Sequence, residues 1–278
     1  MSRSSDFLRR LFSSWTTALG AVLLFIIVVA AIFGPIVYTV DPFEMLGRPA
    51  QLPSARFPLG TDVSGRDILA GILNGARVSL IVGLAASLGA TLIGIVIGAL
   101  SGYFGGLIDD TLMRITDFFL TVPNFVLLLV IVSVFTSTIE VITLAIAFVS
   151  WPSVARLVRS EFASHASREY VHACRGLGMS HMEIMGRQIL PNVMAPIIVV
   201  SSLMVASAIL TEAGLSFLGL SDPDIVSWGY MIGVGRTVLR SAWWMAAIPG
   251  VMIVLAVLAI NLVGEGLNDA LNPRMRQR

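Results

Sequence analysis

Three histidines, His165, His172 and His181, fall within one short stretch of a 278-residue chain, beside its only cysteine, Cys174. These are the residue types that hold metals or act as nucleophile and base. A helical zinc pair needs two His at i, i+4, backed by a Cys pair or by clustered carboxylates. Here the spacings are seven and nine, and Cys174 stands alone. The pattern argues against a metal site, and no nucleophile–base pair suggests catalysis. A single Cys also excludes an internal disulfide. All 18 basic residues are Arg. A Walker A loop needs its Lys on the terminal phosphates, so the chain is not a conventional P-loop ATPase. No basic patch interleaved with aromatics points to nucleic acid.

What has to position these residues is plain from composition. The chain is 56% hydrophobic and 13% charged, with a net charge of +1, whereas soluble domains are about a quarter charged. Charge-free runs cover Thr16–Val40, Val78–Ile108, Phe118–Ile139, Val141–Ala155, Gln188–Thr211 and Ser241–Gly264. A spanning helix needs about 20 mostly apolar residues. Five runs reach that length, and the fourth does if it continues past Arg156 to Val158. Six spans follow, at about 16–40, 78–103, 116–138, 139–158, 190–212 and 242–264. The first apolar run is too long for a signal peptide and has no cleavage site after it, so it is expected to remain. Residues 1–15 form an N-terminal segment and 16–278 the membrane domain. The outer loops are 41–77 and 213–241, and the inner loop is 159–189.

Cationic loops stay in the cytoplasm. With both ends inside, Arg3, Arg9, Arg10, Arg114, Arg156, Arg159, Arg168, Arg175, Arg187, Arg274, Arg276 and Arg278 are cytoplasmic. Arg48, Arg56, Arg66, Arg77, Arg236 and Arg240 are outside. That asymmetry places the histidine-bearing stretch, REYVHACRGLGMSHMEIMGRQILPN (168–192), in the cytoplasm. Ser167 can cap a helix with Glu169 in its first turn. Val171, Cys174 and Leu177 recur at helical spacing, Gly176 and Gly178 break the run, and Ser180 with Glu183 fits a capping box for a second helix. Pro191 ends or kinks that helix at the head of the fifth span. Such an element is either an amphipathic surface anchor or a docking helix for a soluble partner.

The stretch resembles the cytoplasmic signature of binding-protein-dependent ABC importer permeases, E-A-A-x-x-x-G with an I-x-L-P-like end. His172, Ala173, Cys174 and Gly178 occupy the first set of positions, and Gln188, Leu190 and Pro191 the end. His replaces Glu, Cys the second Ala, and Gln the Ile. Three further stretches resemble the dipeptide, oligopeptide and nickel permeases of that family. They are FPLGTDVSGRDILAGILNGARVSLIVG (57–83), EAGLSFLGLSDPDIVSWGYMI (212–232) and AWWMAAIPGVMIVLAVLAINLVGEGLNDALNPR (242–274). The long loop before LGTD resembles the second permease of the pair.

The resemblance implies an all-α membrane protein, a type I ABC importer permease-like bundle of six spans with both termini cytoplasmic, in the bacterial inner membrane. It implies a second homologous permease, two ATPase subunits that bind ATP and magnesium in place of this chain, and an extracytoplasmic solute-binding protein. The cargo would be di- or oligopeptides, with nickel, glutathione or opine-like solutes as the alternative. The coupling helix to the ATPase would comprise Glu169, Tyr170, His172, Ala173, Cys174, Arg175, Leu177 and Gly178, with Tyr170, His172, Arg175 and Leu177 carrying the contact. A self-contained secondary transporter is the competing class, but it would usually need ionisable residues deep in its spans. The centres of these spans have none.

Smaller expectations concern single residues. Gly94, Gly98 and Gly102 form overlapping G-x-x-x-G pairs for close helix contact, either within the chain or with the partner permease. Asp117 and Glu212 sit at span edges, where each either pairs with an Arg or lines the pathway. Asp62 fits an N-cap, with Arg66 and Asp67 on the helix that follows. The outer segment 216–240, with Asp222, Pro223, Asp224 and Trp228, is a candidate surface for the binding protein.

Overall fold

A computed structural model describes residues 14–271. Most of the expected N-terminal segment, with Arg3, Arg9 and Arg10, lies outside the described residues, as do Arg274, Arg276 and Arg278. Among the described residues the chain is helical, with two isolated bridge pairs and no strand. The helices are α1 (Trp15–Val37), α2 (Ile68–Phe104), α3 (Gly106–Thr121), α4 (Asn124–Val134), α5 (Ile139–Ala166), α6 (Glu169–Gly176), α7 (His181–Phe217), α8 (Trp228–Gly235) and α9 (Trp244–Leu271). Five of these are long and apolar enough to cross a membrane, and α3 with α4 makes a sixth if the bent pair is one span.

That bent pair differs from the single third helix expected over 116–138. The two helices meet at 83°. Val122 is extended, with ψ 128°, and Pro123 follows. Proline disfavours the helical region for the residue before it and offers no N–H of its own, so the corner is built into the V-P-N sequence.

The centre of the bundle is α2 laid against α5. Gly94, Gly98 and Gly102 face Val154, Ala155, Val158, Arg159 and Phe162. A β-carbon on Gly98 would stand 2.5 Å from the Ala155 carbonyl oxygen, and one on Gly94 2.5 Å from the Val154 β-carbon. The small-residue contact is therefore within the chain, backbone to backbone. Gly105 and Gly106, with φ of +65° and +53°, then turn the chain into α3. There Asp109 accepts from Arg159 Nε and Nη2 at 2.6 and 2.5 Å, and the Ser101 hydroxyl donates to the same carboxylate. On the other flank of α2, Ser87 donates to the Ser201 carbonyl at 2.7 Å and Thr91 shares a 2.8 Å bond with the Ser201 hydroxyl, joining α2 to α7. α1 packs along α9, with Gly20 against Leu262 and Gly266 against Thr17.

At the end of the bundle that carries the long 38–67 connection, the cap of α2 is Asp67 and not Asp62. Asp67 accepts from the Leu69 and Ala70 amides at 2.7 and 3.4 Å, and from the Tyr38 hydroxyl. Asp62 instead accepts from Ser64 N and Arg66 N, closing a turn at Gly65, whose φ is +81°. The helix starts only after that turn, so Arg66 and Asp67 precede it. Glu212 is buried near the end of α7, where its Oε1 accepts from Ser216 and Ser227 at 2.9 and 2.7 Å. Among the described residues no Arg pairs with it. Ser227 also caps α8, so this carboxyl ties α7 to α8. Trp228 is completely buried, with its indole N–H on the Ile72 carbonyl at 3.0 Å. Asp222 accepts from the Ile139 amide at 2.9 Å at the head of α5. Of the four residues expected on a docking surface here, these two are internal; Pro223 and Asp224 are exposed.

Candidate functional site

At the opposite end, α6 lies on a small apolar seat. Val171 is fully buried in a cluster with Tyr103, Phe162, Ile184, Ile189 and Val193, which come from α2, α5 and α7. Burying such a side chain is worth about 1.5 kcal/mol or more, and it fixes which face of the short helix looks inward. The expected cap differs. Ser167 donates to the Ser164 carbonyl, and Arg168 stands at the N-cap position with no side-chain hydrogen bond to the helix. Glu169 is exposed in the first turn, where the helix dipole favours it. At the other end Gly178, with φ +78° and open space around it, turns the chain. Ser180 then accepts from the Glu183 amide at 3.3 Å. This is half of a capping box, because the Glu183 carboxylate pairs forward with Arg187 at 2.7 Å. That exposed pair contributes little.

The helix beginning at His181 runs through Pro191 without stopping. Residues Ile184–Ile189 wind as a π-helix immediately before it. A proline ring clashes with the carbonyl four residues earlier. The wider winding relieves that crowding, and the helix passes through Pro191 rather than ending there.

Two groups separate within the eight candidate residues. His172, Ala173, Leu177 and Gly178 are exposed, and Leu177 is the extreme, an apolar side chain 83% accessible. Met182, 71% accessible, stands beyond the joint and was not singled out by its sequence context. Tyr170 and Cys174 are half-buried. The Tyr170 hydroxyl shares a 2.8 Å bond with His165 Nδ1, and burial pushes its phenol above the ordinary value. Arg175 is exposed, yet its guanidinium lies over the Tyr103 ring, 5.0 Å from the centroid, and its Nε reaches the Tyr103 hydroxyl at 3.4 Å.

Tyr103 is the residue that sequence reading missed. Its hydroxyl also meets His181 Nδ1 at 2.9 Å, so one phenol at the end of α2 holds both sides of the Gly178 joint. It lies 78 residues from His181, and no local pattern marks it. Removing the oxygen in Tyr103→Phe is expected to cost about 1 kcal/mol locally. Amide exchange across residues 168–182 should quicken by about fivefold, with exchange in α2 and α5 unchanged.

The three histidines do not converge. His165 faces Tyr170, His181 faces Tyr103, and His172 is exposed. Among the described residues no group of three or more His, Cys, Asp or Glu could hold a metal ion. Asp117 pairs with Arg156 at 2.6 Å, both more than half exposed.

Residues 94–277 match the family described as binding-protein-dependent transport system inner membrane component. Residues 2–53 match the N-terminal transmembrane domain of oligopeptide transport permease C. The chain is 40% identical over 268 residues to the di/tripeptide transport system permease protein DppC of Pseudomonas aeruginosa, covering 93% of this chain and 88% of that one. It is 37% identical over 267 residues to the dipeptide transport system permease protein DppC of Haemophilus influenzae, covering 93% and 90%. Among solved structures, an inward-facing form of the MetNI methionine ABC transporter superposes with a TM-score of 0.60 at 15% identity, over 73% of this chain and 96% of that one. The likeness to that structure is one of fold.

Proposed function

The chain belongs to the family of binding-protein-dependent transport system inner membrane components, the permease subunits of ABC importers, and on that premise we propose that it is one of two pore-forming subunits of an importer for di- or oligopeptides. The relatives named as dipeptide and di/tripeptide permeases support the cargo. In this reading both termini and the 159–189 loop face the cytoplasm of a bacterial cell, as the excess of Arg on that side supports. A second homologous permease completes the pore. Two ATPase subunits bind and hydrolyse ATP with magnesium, and a separate binding protein delivers the peptide from outside. This chain carries no catalytic residue.

The single observation behind this reading is the α6 end of the bundle. Leu177 and Met182, 83% and 71% accessible on either side of the Gly178 joint, with exposed His172 and Ala173 on a helix anchored by buried Val171, offer a soluble partner apolar side chains to bury in a groove. α6 is then the coupling helix. Its outward residues make the contact, while Tyr170, Cys174 and Arg175 hold the helix to its seat. The test is uptake of a labelled dipeptide into vesicles containing both permeases and the ATPase subunits, with the binding protein added. Uptake is expected to require ATP and to vanish without the ATPase subunits. Solute movement by the isolated chain down an ion gradient would overturn the assignment.

A further inference from the structure

We infer that a neutral, hydroxyl-lined recess between α4, α5 and α7 is the stretch of the pathway where the peptide backbone makes hydrogen bonds in transit. The inference rests on the peptide-importer reading and extends it to particular residues.

The recess holds about 130 Å³ and is lined by Asn124, Ser150, Ser153, Met204, Ser207 and Thr211, together with Ala208. At a rise of about 1.5 Å per residue, Ser150 lies about 17 Å into α5 and Ser207 about 15 Å from the end of α7. These depths are mid-membrane in a core about 30 Å thick. Polar side chains at that depth either join helices or face water. On α7 both kinds occur, on different flanks. Ser201 is engaged by Ser87 and Thr91 of α2, and is glue. Thr211 donates to the Ser207 carbonyl at 2.8 Å. Among the described residues, the side chains of Asn124, Ser150, Ser153 and Ser207 make no hydrogen bond within the chain, and Asn124, Ser153 and Ser207 are exposed.

Three elements contribute to the recess, and the corner at Pro123 is what brings Asn124 to it. The volume corresponds to about four waters. No charged residue lines it. Hydroxyl and carboxamide groups each donate and accept, so the same set can meet a peptide N–H or C=O in either direction without reading the side chains. The absence of charge in the lining leaves the peptide termini unpaired, which suits brief passage and weak holding.

The test uses the assembled importer in vesicles, with Ser153→Cys and Ser207→Cys introduced singly. A charged methanethiosulfonate reagent is applied to both faces. Cys174 of the unsubstituted chain gives the background, and Val254→Cys, on an apolar stretch of α9, gives a dry reference. Thiols in water ionise and react, whereas buried or lipid-facing thiols do not, so both positions are expected to react at least about tenfold faster than Val254→Cys. Dipeptide with its binding protein and ATP should slow the reaction. Reaction at the Val254→Cys rate would overturn the recess even if the unsubstituted complex imports dipeptide. So would reaction that dipeptide leaves unchanged in a complex that imports it. If the thiols react but the unsubstituted complex imports no dipeptide, the peptide cargo falls and with it the backbone role, while the water-lined recess stands.

Discussion

A permease carrying Leu177→Asp will fold and insert, and it will lose its ATPase subunits. The Leu177 side chain is 83% accessible and stands just before the joint. Surface changes of this kind alter stability by no more than about 0.5 kcal/mol. Docking is another matter. A short helix presents few side chains, and its binding energy concentrates on one or two of them; removing such a contact costs about 2 kcal/mol or more, or thirtyfold in Kd. Co-purification from membranes measures the loss, with thermal unfolding of the isolated permease as the control. Ala173→Glu combined with Gly178→Pro should act in the same way by a different route. Ala173 is on the exposed face, and proline fixes φ near −65° where Gly178 needs +78°. ATPase subunits that remain bound to folded forms of both variants would make α6 a surface anchor and no more.

Glycine to alanine at two positions should move stability in opposite directions. At Gly250 of α9 a β-carbon meets nothing within 4 Å. The helix propensity gained there is about 0.5–1 kcal/mol, and Gly250→Ala is expected to be neutral or stabilising. At Gly98 the same atom would stand 2.5 Å from a backbone carbonyl of α5, with Val158 and Arg159 close behind. Backbone cannot rotate away as a side chain can, so α2 and α5 must part. An overpacking cost of about 3 kcal/mol overwhelms the propensity gain, and Gly98→Leu should prevent assembly of the bundle. Monodispersity and melting temperature of the isolated chain in detergent would report both. Equal effects at the two positions would show that α2 and α5 do not pack through Gly98.

The helical class and the count of long apolar segments could be read from charge-free runs, because lipid imposes length and apolarity on every span. The stretch around α6 could also be located, since charge and glycine interrupt the apolar pattern there. Its internal geometry could not. The inward turn of Tyr170 depends on His165, and the posture of Arg175 depends on Tyr103 at the far end of α2. Asp62 and Asp67 offer the same capping chemistry five residues apart, and only the turn at Gly65 decides between them. Trp228 falls in the outer segment expected to meet the binding protein, yet it fills a space between α8 and α2 that no local pattern describes. The corner between α3 and α4 did carry a sequence signal in Val122-Pro123-Asn124; an unbroken apolar count had masked it.

From His181 to Phe217 the polypeptide is one unbroken rod of 37 residues, about 55 Å long at 1.5 Å per residue. One end starts three residues beyond Gly178, and the other is clasped to α8 through Glu212. Such a rod is a lever. A swing of about 5° about one end displaces the other by about 5 Å, close to one helical turn. With the clasped end as the pivot, the Ser207 stretch, about 15 Å from it, would sweep about 1 Å. A displacement given at α6 is thus scaled down along the rod in proportion to distance from the clasped end, so a large movement in the cytoplasm becomes a small, directed one beside Ser207.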